Sequence, residues 1–286
     1  MSTPQPFAAL PLSQDNVSYE YGPDSVTRVG VEPGSVEQFE LEESQRFPGT
    51  TRSVWVHRPA GHRADEPSAV MFFNDGWWYL DPDGDVRGGI VLDNLAAKRD
   101  LPQMIGVFVD PGVLDVNGTP TKHRNAEYDA FNDTYASFLL DEVLPIVRER
   151  YAVSDDPMMR GICGGSSGGN AAVTAAWSRP EGLGRAIAFN PSFAQMPGGN
   201  PYPALFATEP RRQTRLFLHA AYRDLHWNEP EWNWFAESLD TAAALGRAGY
   251  DFRLVVGDGN HSPNHGGVLL PDALRWLWQA HPASVR

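Results

Sequence analysis

The chain has 286 residues, 42% hydrophobic and 21% charged, which suits a soluble globular protein with one large domain and a sizeable core. Its 36 acidic against 23 basic side chains leave a net charge of −13, which argues against nucleic acid and anionic membranes as partners, because both call for a basic surface. The single cysteine, Cys163, excludes an internal disulfide and any multi-cysteine metal site, and fits a reducing compartment.

The opening MSTPQPFAALPLSQD has no Lys or Arg and no apolar stretch, so no signal peptide is expected. No run approaches the ~18 apolar residues of a membrane span, and the expectation is a cytoplasmic protein. Residues 1–34, rich in Pro, Ser, Gly and acids, are expected to form an arm, and residues 35–286 a single domain. Val36–Leu41 and Thr51–His57 alternate apolar and polar residues around a Phe47-Pro48-Gly49 turn, the pattern of an antiparallel edge pair. Asp81-Pro-Asp-Gly-Asp85 lacks the glycine position and closing Glu of a calcium loop and reads as a surface turn.

Short, nearly continuous apolar runs follow at Ala69–Phe73, Met104–Val109, Met158–Cys163, Ala186–Phe189, Leu216–Leu218 and Phe252–Val256. Such runs suit strands covered on both faces, as in a parallel sheet. Helical periods lie between them at Ile90–Lys98, Asp133–Arg150, Gly169–Trp177, Phe235–Ala248 and Val268–Gln279. The Asp133–Arg150 helix keeps Tyr135, Phe138, Leu139, Val143 and Ile146 on one stripe. The alternation predicts an α/β domain with a mostly parallel central sheet, helices on both faces and an antiparallel N-terminal edge.

The segment Arg160–Asn170, RGICGGSSGGN, joins an apolar strand to an Ala-rich helix, the setting of a G-x-S-x-G nucleophile elbow in an α/β-hydrolase fold. Small flanking residues permit the strained turn, and the helix N-terminus aims N–H groups at a developing oxyanion. Two registers fit, one with Ser166 and one with Ser167 as nucleophile; Ser166 is preferred because Gly168-Gly169 then open the helix. In this fold the order is serine, acid, histidine. His261, just past Phe252–Val256, is the expected base, with His265 as runner-up; Pro263 and the nearby glycines argue against a helix that would align the two on a metal. Asp224 is the first carboxylate past Leu216–Leu218 and the expected acid, with Glu229, Glu231 and Asp258 as competitors. Backbone N–H groups of Trp77 and Ser167 are expected to form the oxyanion hole. Trp78, Trp227, Trp232 and Trp234 are candidates to wall a pocket, and Cys163 reads as a small core residue.

The run Arg124-Asn-Ala-Glu127-Tyr128-Asp, the helix YASFLLDEVLPIVRERY, the elbow GGSSGG and the segment GDGNHSPNHGGVLLPDALRWLW together resemble the enterochelin esterase-like branch of the esterase D group of α/β hydrolases, from about Val36 to Trp278. The resemblance implies a serine carboxylic ester hydrolase with Ser166, His261 and Asp224, needing no metal or cofactor. Only 34 residues precede Ser35, too few for the separate N-terminal β-domain of full-length ferric-enterobactin esterases, and a polyanionic iron catecholate would meet a net charge of −13. Arg124 and Arg223 are the residues that could offset it. The expected substrate is therefore a small-molecule aromatic or bulky ester or lactone. Siderophore trilactone hydrolysis, acyl transfer and a non-catalytic binding role are the alternatives, and a homodimer is allowed.

Overall fold

In a computed structural model, residues 17–279 are described. The first sixteen residues of the expected arm and the tail carrying His281 lie outside them. A ten-stranded sheet organises the rest, in the order β10-β9-β8-β7-β3-β4-β2-β5-β6, with β1 on the remaining edge of β2. The strands are β1 Ser35–Leu41, β2 Thr50–Arg58, β3 Ala69–Asn74, β4 Met104–Val109, β5 Val113–Val116, β6 Thr119–Lys122, β7 Arg160–Gly165, β8 Arg185–Phe189, β9 Arg215–Ala221 and β10 Asp251–Gly257. β3, β4 and β7 to β10 pair in parallel, whereas β1, β2, β5 and β6 are antiparallel. The expected apolar runs became the parallel strands, and the expected edge pair became β1–β2.

The helices are α1 Gly76–Leu80, α2 Gly88–Lys98, α3 Arg124–Tyr128, α4 Thr134–Phe138, α5 Leu144–Arg148, α6 Ser167–Ser178, α7 Tyr202–Thr208, α8 Trp234–Arg247 and α9 Pro263–Trp278. They cover both faces, because side chains alternate along each strand. Val70 and Phe72 of β3 join a core with α4, α5, α6, α7 and α8. Ala69, Met71 and Phe73 join a second core with α1, α2 and α9. This is the α/β-hydrolase architecture.

Three local features differ from the periodicity. α4 and α5 are one rod joined by a π-helical turn, Leu139–Val143, just before Pro145, which has no N–H to give to a regular α ladder. Beyond that turn Leu144 and Val147 are buried, while Ile146 is only half-buried. The β5–β6 hairpin, unmarked by apolar alternation, turns at Asn117-Gly118 with both residues at positive φ, the signature of a tight primed turn. α9 begins at Pro263, five residues before the expected start at Val268, so His265 is helical. The expectation that Pro263 forbids a helix here is corrected: proline at the first helical position forfeits only an N–H that has no helical acceptor. Gly267 lets the start of α9 press on the loop between α1 and α2, for a Cβ there would collide with the Asp85 carbonyl. Among the described residues no helix is long and apolar enough to cross a membrane.

Candidate active site

β3 and β7 are neighbours at the centre of the sheet although they are remote in sequence, and ligands of open α/β sheets bind at the carboxyl ends of such a switch point. There β7 runs into Ser166, whose backbone is held at φ 58° and ψ −128°, a conformation L-residues rarely adopt. Its N–H donates to the Phe189 carbonyl at 2.9 Å, and its own carbonyl accepts from Gly169 at 2.9 Å and Asn170 at 3.2 Å, which starts α6. Gly164 makes the turn feasible, since a Cβ there would strike the Gly168 backbone and lie 2.9 Å from Asn74 Nδ2.

The two serines point to different places. Ser166 lines a cleft of about 470 Å³, open mouth included, shared with Asp75, Trp78, Tyr79, Val86, Arg124, Phe189, Asn190, His261 and Pro263. Ser167 is buried, and its Oγ donates to Asp129 Oδ2 at 3.0 Å and accepts from Asn125 Nδ2 at 3.2 Å. Its N–H opens α6 and so has no acceptor within the helix.

His261 faces the same cleft, and its Nδ1 lies 2.7 Å from Asp224 Oδ1. Because a carboxylate only accepts, Nδ1 carries a proton, and in the neutral ring Nε2 keeps a lone pair. Asp224, buried behind β9, also takes the Leu225 N–H at 2.7 Å. The buried ring of Trp234 meets the imidazole edge-on at 5.0 Å. The competing residues are placed elsewhere. His265 is buried with Nε2 donating to the Val17 carbonyl at 3.0 Å, and burial lowers its pKa. Glu229 pairs with His226 on the surface, Glu231 is exposed, and the Asp258 N–H bonds Tyr19 Oη. His219, fully buried beside His265, is pushed down to about 3 by burial and then by the neighbouring histidines.

Two expectations are corrected. The Trp77 N–H does not await an oxyanion: it donates to Asp110 Oδ1 at 3.0 Å, and the half-exposed Trp77 ring leans on Trp55. Trp227 and Trp232 are exposed on the loop between β9 and α8 and do not line the cleft; Arg223 stacks over Trp227 at 3.7 Å. Trp78 and Arg124 do line it. Arg124, however, is spent on a two-pronged pair with Asp75, at 2.6 and 2.8 Å, and also reaches the Gly165 carbonyl. Burial opposes its charge, but Asp75 outweighs that and raises its pKa. Among the described residues there is no group of three or more His, Cys, Asp or Glu suited to a metal ion.

The Esterase family model, described as "Putative esterase", matches residues 44–273. The chain belongs to the Esterase family. Its fold resembles that of the enterobactin esterase FES from Shigella flexneri, solved in the presence of 2,3-dihydroxy-N-benzoyl-serine, with a TM-score of 0.68 and 20% identity over 86% of this chain and 59% of that one. It also resembles the CE1 ferulic acid esterase AmCE1/Fae1A from Anaeromyces mucronatus in complex with ferulic acid, with a TM-score of 0.70 and 18% identity over 93% of this chain and 97% of that one. The chain therefore spans about three-fifths of the length of FES. No curated protein matches its sequence.

The stretch Arg124–Asp129 does far more in this chain than the single role expected of Arg124. Arg124 holds Asp75, Tyr128 Oη accepts the Asp75 N–H at 3.2 Å, and Asn125 reaches Asp129 and Ser167. Glu127 makes a fully buried two-pronged pair with Arg52 at 2.7 and 3.1 Å. Asp129 clamps the first turn of α6 through Ser167 and Asn170, the latter at 2.8 Å. Asn74 adds a bond to the Gly168 carbonyl at 2.7 Å and is itself held by Tyr135. The family resemblance marks this run in the sequence, but nothing in it names the partners, which lie on other elements.

Proposed function

We propose that this esterase cleaves its substrate through a covalent acyl-enzyme on Ser166, with His261 as general base and acid and Asp224 as the group that orients His261. The observation that carries the reading is the 2.7 Å contact of His261 Nδ1 with Asp224 Oδ1, made while His261 and Ser166 share one cleft. Ser166 Oγ attacks the ester carbonyl carbon as its proton passes to His261 Nε2. The tetrahedral intermediate collapses, and the same proton goes to the departing alkoxide. A water then repeats the sequence, breaking the acyl bond, releasing the carboxylic acid and restoring Ser166. The Ser167 N–H is one oxyanion donor; with the Trp77 N–H engaged by Asp110, the second comes from elsewhere in the turn Asp75–Trp78, which borders the cleft. No cofactor enters these steps.

The substrate we favour is a neutral ester of an aromatic or bulky acid. Trp78, Tyr79, Val86, Phe189 and Pro263 make the cleft walls largely apolar, and the charge of Arg124 is neutralised by Asp75. The similarity to FES favours a second reading, a catecholate lactone, which would need a cation not already paired. A fluorophosphonate probe should label Ser166: Ser166→Ala should abolish labelling and turnover, and Ser167→Ala should keep the labelling and only weaken turnover. Labelling that survives Ser166→Ala and vanishes in Ser167→Ala would overturn the assignment. kcat/KM for aryl esters should exceed that for catecholate lactones at both low and high salt.

A further inference from the structure

The segment Val17–Val26 carries no regular secondary structure, yet it is tied to the elements that bear His261. Tyr19 and Asn264 form a two-point clasp: the Tyr19 N–H donates to Asn264 Oδ1 at 2.8 Å, and Asn264 Nδ2 donates to the Tyr19 carbonyl at 3.1 Å. Tyr19 Oη accepts the Asp258 N–H at 2.9 Å. The Val17 carbonyl takes the Nε2–H of His265, and the Tyr19 ring packs on that imidazole at 4.9 Å. Asp258 precedes His261 by three residues and Asn264 follows it by three, so the segment grips both ends of the loop that carries His261. Further along, Ser25 Oγ donates to the Gly267 carbonyl, and the Asp24 carboxylate is held by Arg275 and Lys98 from α9 and α2.

These contacts are directional and polar. From residue 17 to residue 26 only Asp24 and Ser25 are buried, so the segment covers little apolar surface and the area term cannot be its main contribution. It also lies close to the loop, since a Cβ at Gly259 would come within 2.9 Å of Val17 Cβ. We propose that residues 17–25 are a strap that positions His261, with Tyr19 and Asn264 as positioning residues acting through the Gly257–Ser262 loop. The proposal rests on the ester-hydrolase reading above. Without the clasp the loop keeps its chain connections but loses the bonds that set the height of the imidazole over Ser166.

The test uses the full chain with Tyr19→Phe, which keeps the ring and removes the hydroxyl, and with Asn264→Ala. Misplacement of a catalytic group by about 1 Å can cost ~100-fold, so kcat should fall by roughly 10- to 100-fold, with KM little changed and Ser166 labelling slowed in parallel. The low-field Nδ1–H proton resonance of His261 should broaden or vanish in both variants, while the thermal midpoint of Tyr19→Phe stays near that of the parent. Parent-like kcat with an intact resonance in both variants overturns the strap. So does a rise in KM alone with the resonance intact, which would make the segment a substrate wall. If the parent protein is not labelled at Ser166, the ester-hydrolase mechanism fails, and the resonance still decides whether the strap holds His261.

Discussion

The two halves of the candidate site are built differently. Around Ser166 the protein is over-determined: Asp75, Asp129, Asn74, Asn170 and Ser167 are all buried and joined by hydrogen bonds. Around Asp224 the chain is open, with Tyr222, Leu225, Trp227 and Trp232 exposed and a surface pair between His226 and Glu229. A serine at φ 58° stores strain worth about 1–3 kcal/mol, so its surroundings must forbid relaxation. Asp224 needs only to be buried and to accept the N–H of His261, after which its loop is free to project aromatic rings into water. Strain, and not proximity to chemistry alone, decides where the polar network is dense.

Substitutions can break this contrast, and the largest effect is expected at Asp224. Asp224→Asn should favour the wrong imidazole tautomer and lower kcat by roughly 10³- to 10⁴-fold with stability nearly unchanged. Glu229→Gln and Glu231→Gln should be silent in the same assay. An equal loss from Glu229→Gln would place the acid on the exposed half and dissolve the contrast.

The elbow side should respond in stability. Glu127→Gln strands the Arg52 guanidinium, which is fully buried beside Phe47 and Phe138, and should cost about 3–5 kcal/mol by urea unfolding. No substitution at Trp227 or Trp232 should approach that.

Acid should destabilise the fold through His219. Its folded pKa of about 3 lies below the ordinary value of 6.5, so the unfolded chain binds the proton first. Stability is then fully present above about pH 6.5 and declines by up to about 1.4 kcal/mol per pH unit until pH approaches 3. The His265 pKa, lowered in the same direction, adds to the decline. His219→Gln should flatten the profile of unfolding free energy against pH, and an unchanged slope would remove His219 as its source.

The smallest effects should separate the tryptophans. Trp78→Ala should reduce kcat/KM for an aryl ester by about 3- to 10-fold, as expected for one lost aromatic contact. Trp232→Ala should change it by less than about twofold, because that ring does not line the cleft. Equal losses would mean that the exposed loop folds over substrate.

Much of the frame was legible. The apolar runs became strands because a side chain's period along a buried strand depends on its chain neighbours alone. The elbow was readable for the same reason, since strand, small residues, serine and helix are contiguous. The positions of His261 and Asp224 just past β10 and β9 were legible for the same reason, though not their contact. Less legible were helices shorter than two turns, such as α1 and α3, which leave no periodic trace, and the start of α9, where a proline that resembles a breaker is the first helical residue.

By itself, then, the sequence determined the α/β alternation, the chain order of Ser166, Asp224 and His261 at the ends of their strands, and the small residues that admit a strained turn. All of these are relations between residues near one another in the chain. Only the tertiary structure decided which serine faces the cleft, because Ser167 is claimed by Asp129, 38 positions away. It also engaged the Trp77 N–H with Asp110, cancelled Arg124 against Asp75, and brought Tyr19 to Asn264 across 245 positions. A polar group bonds to whatever the strand order carries beside it, and that order is set by which apolar faces bury together, a property no local stretch of sequence contains.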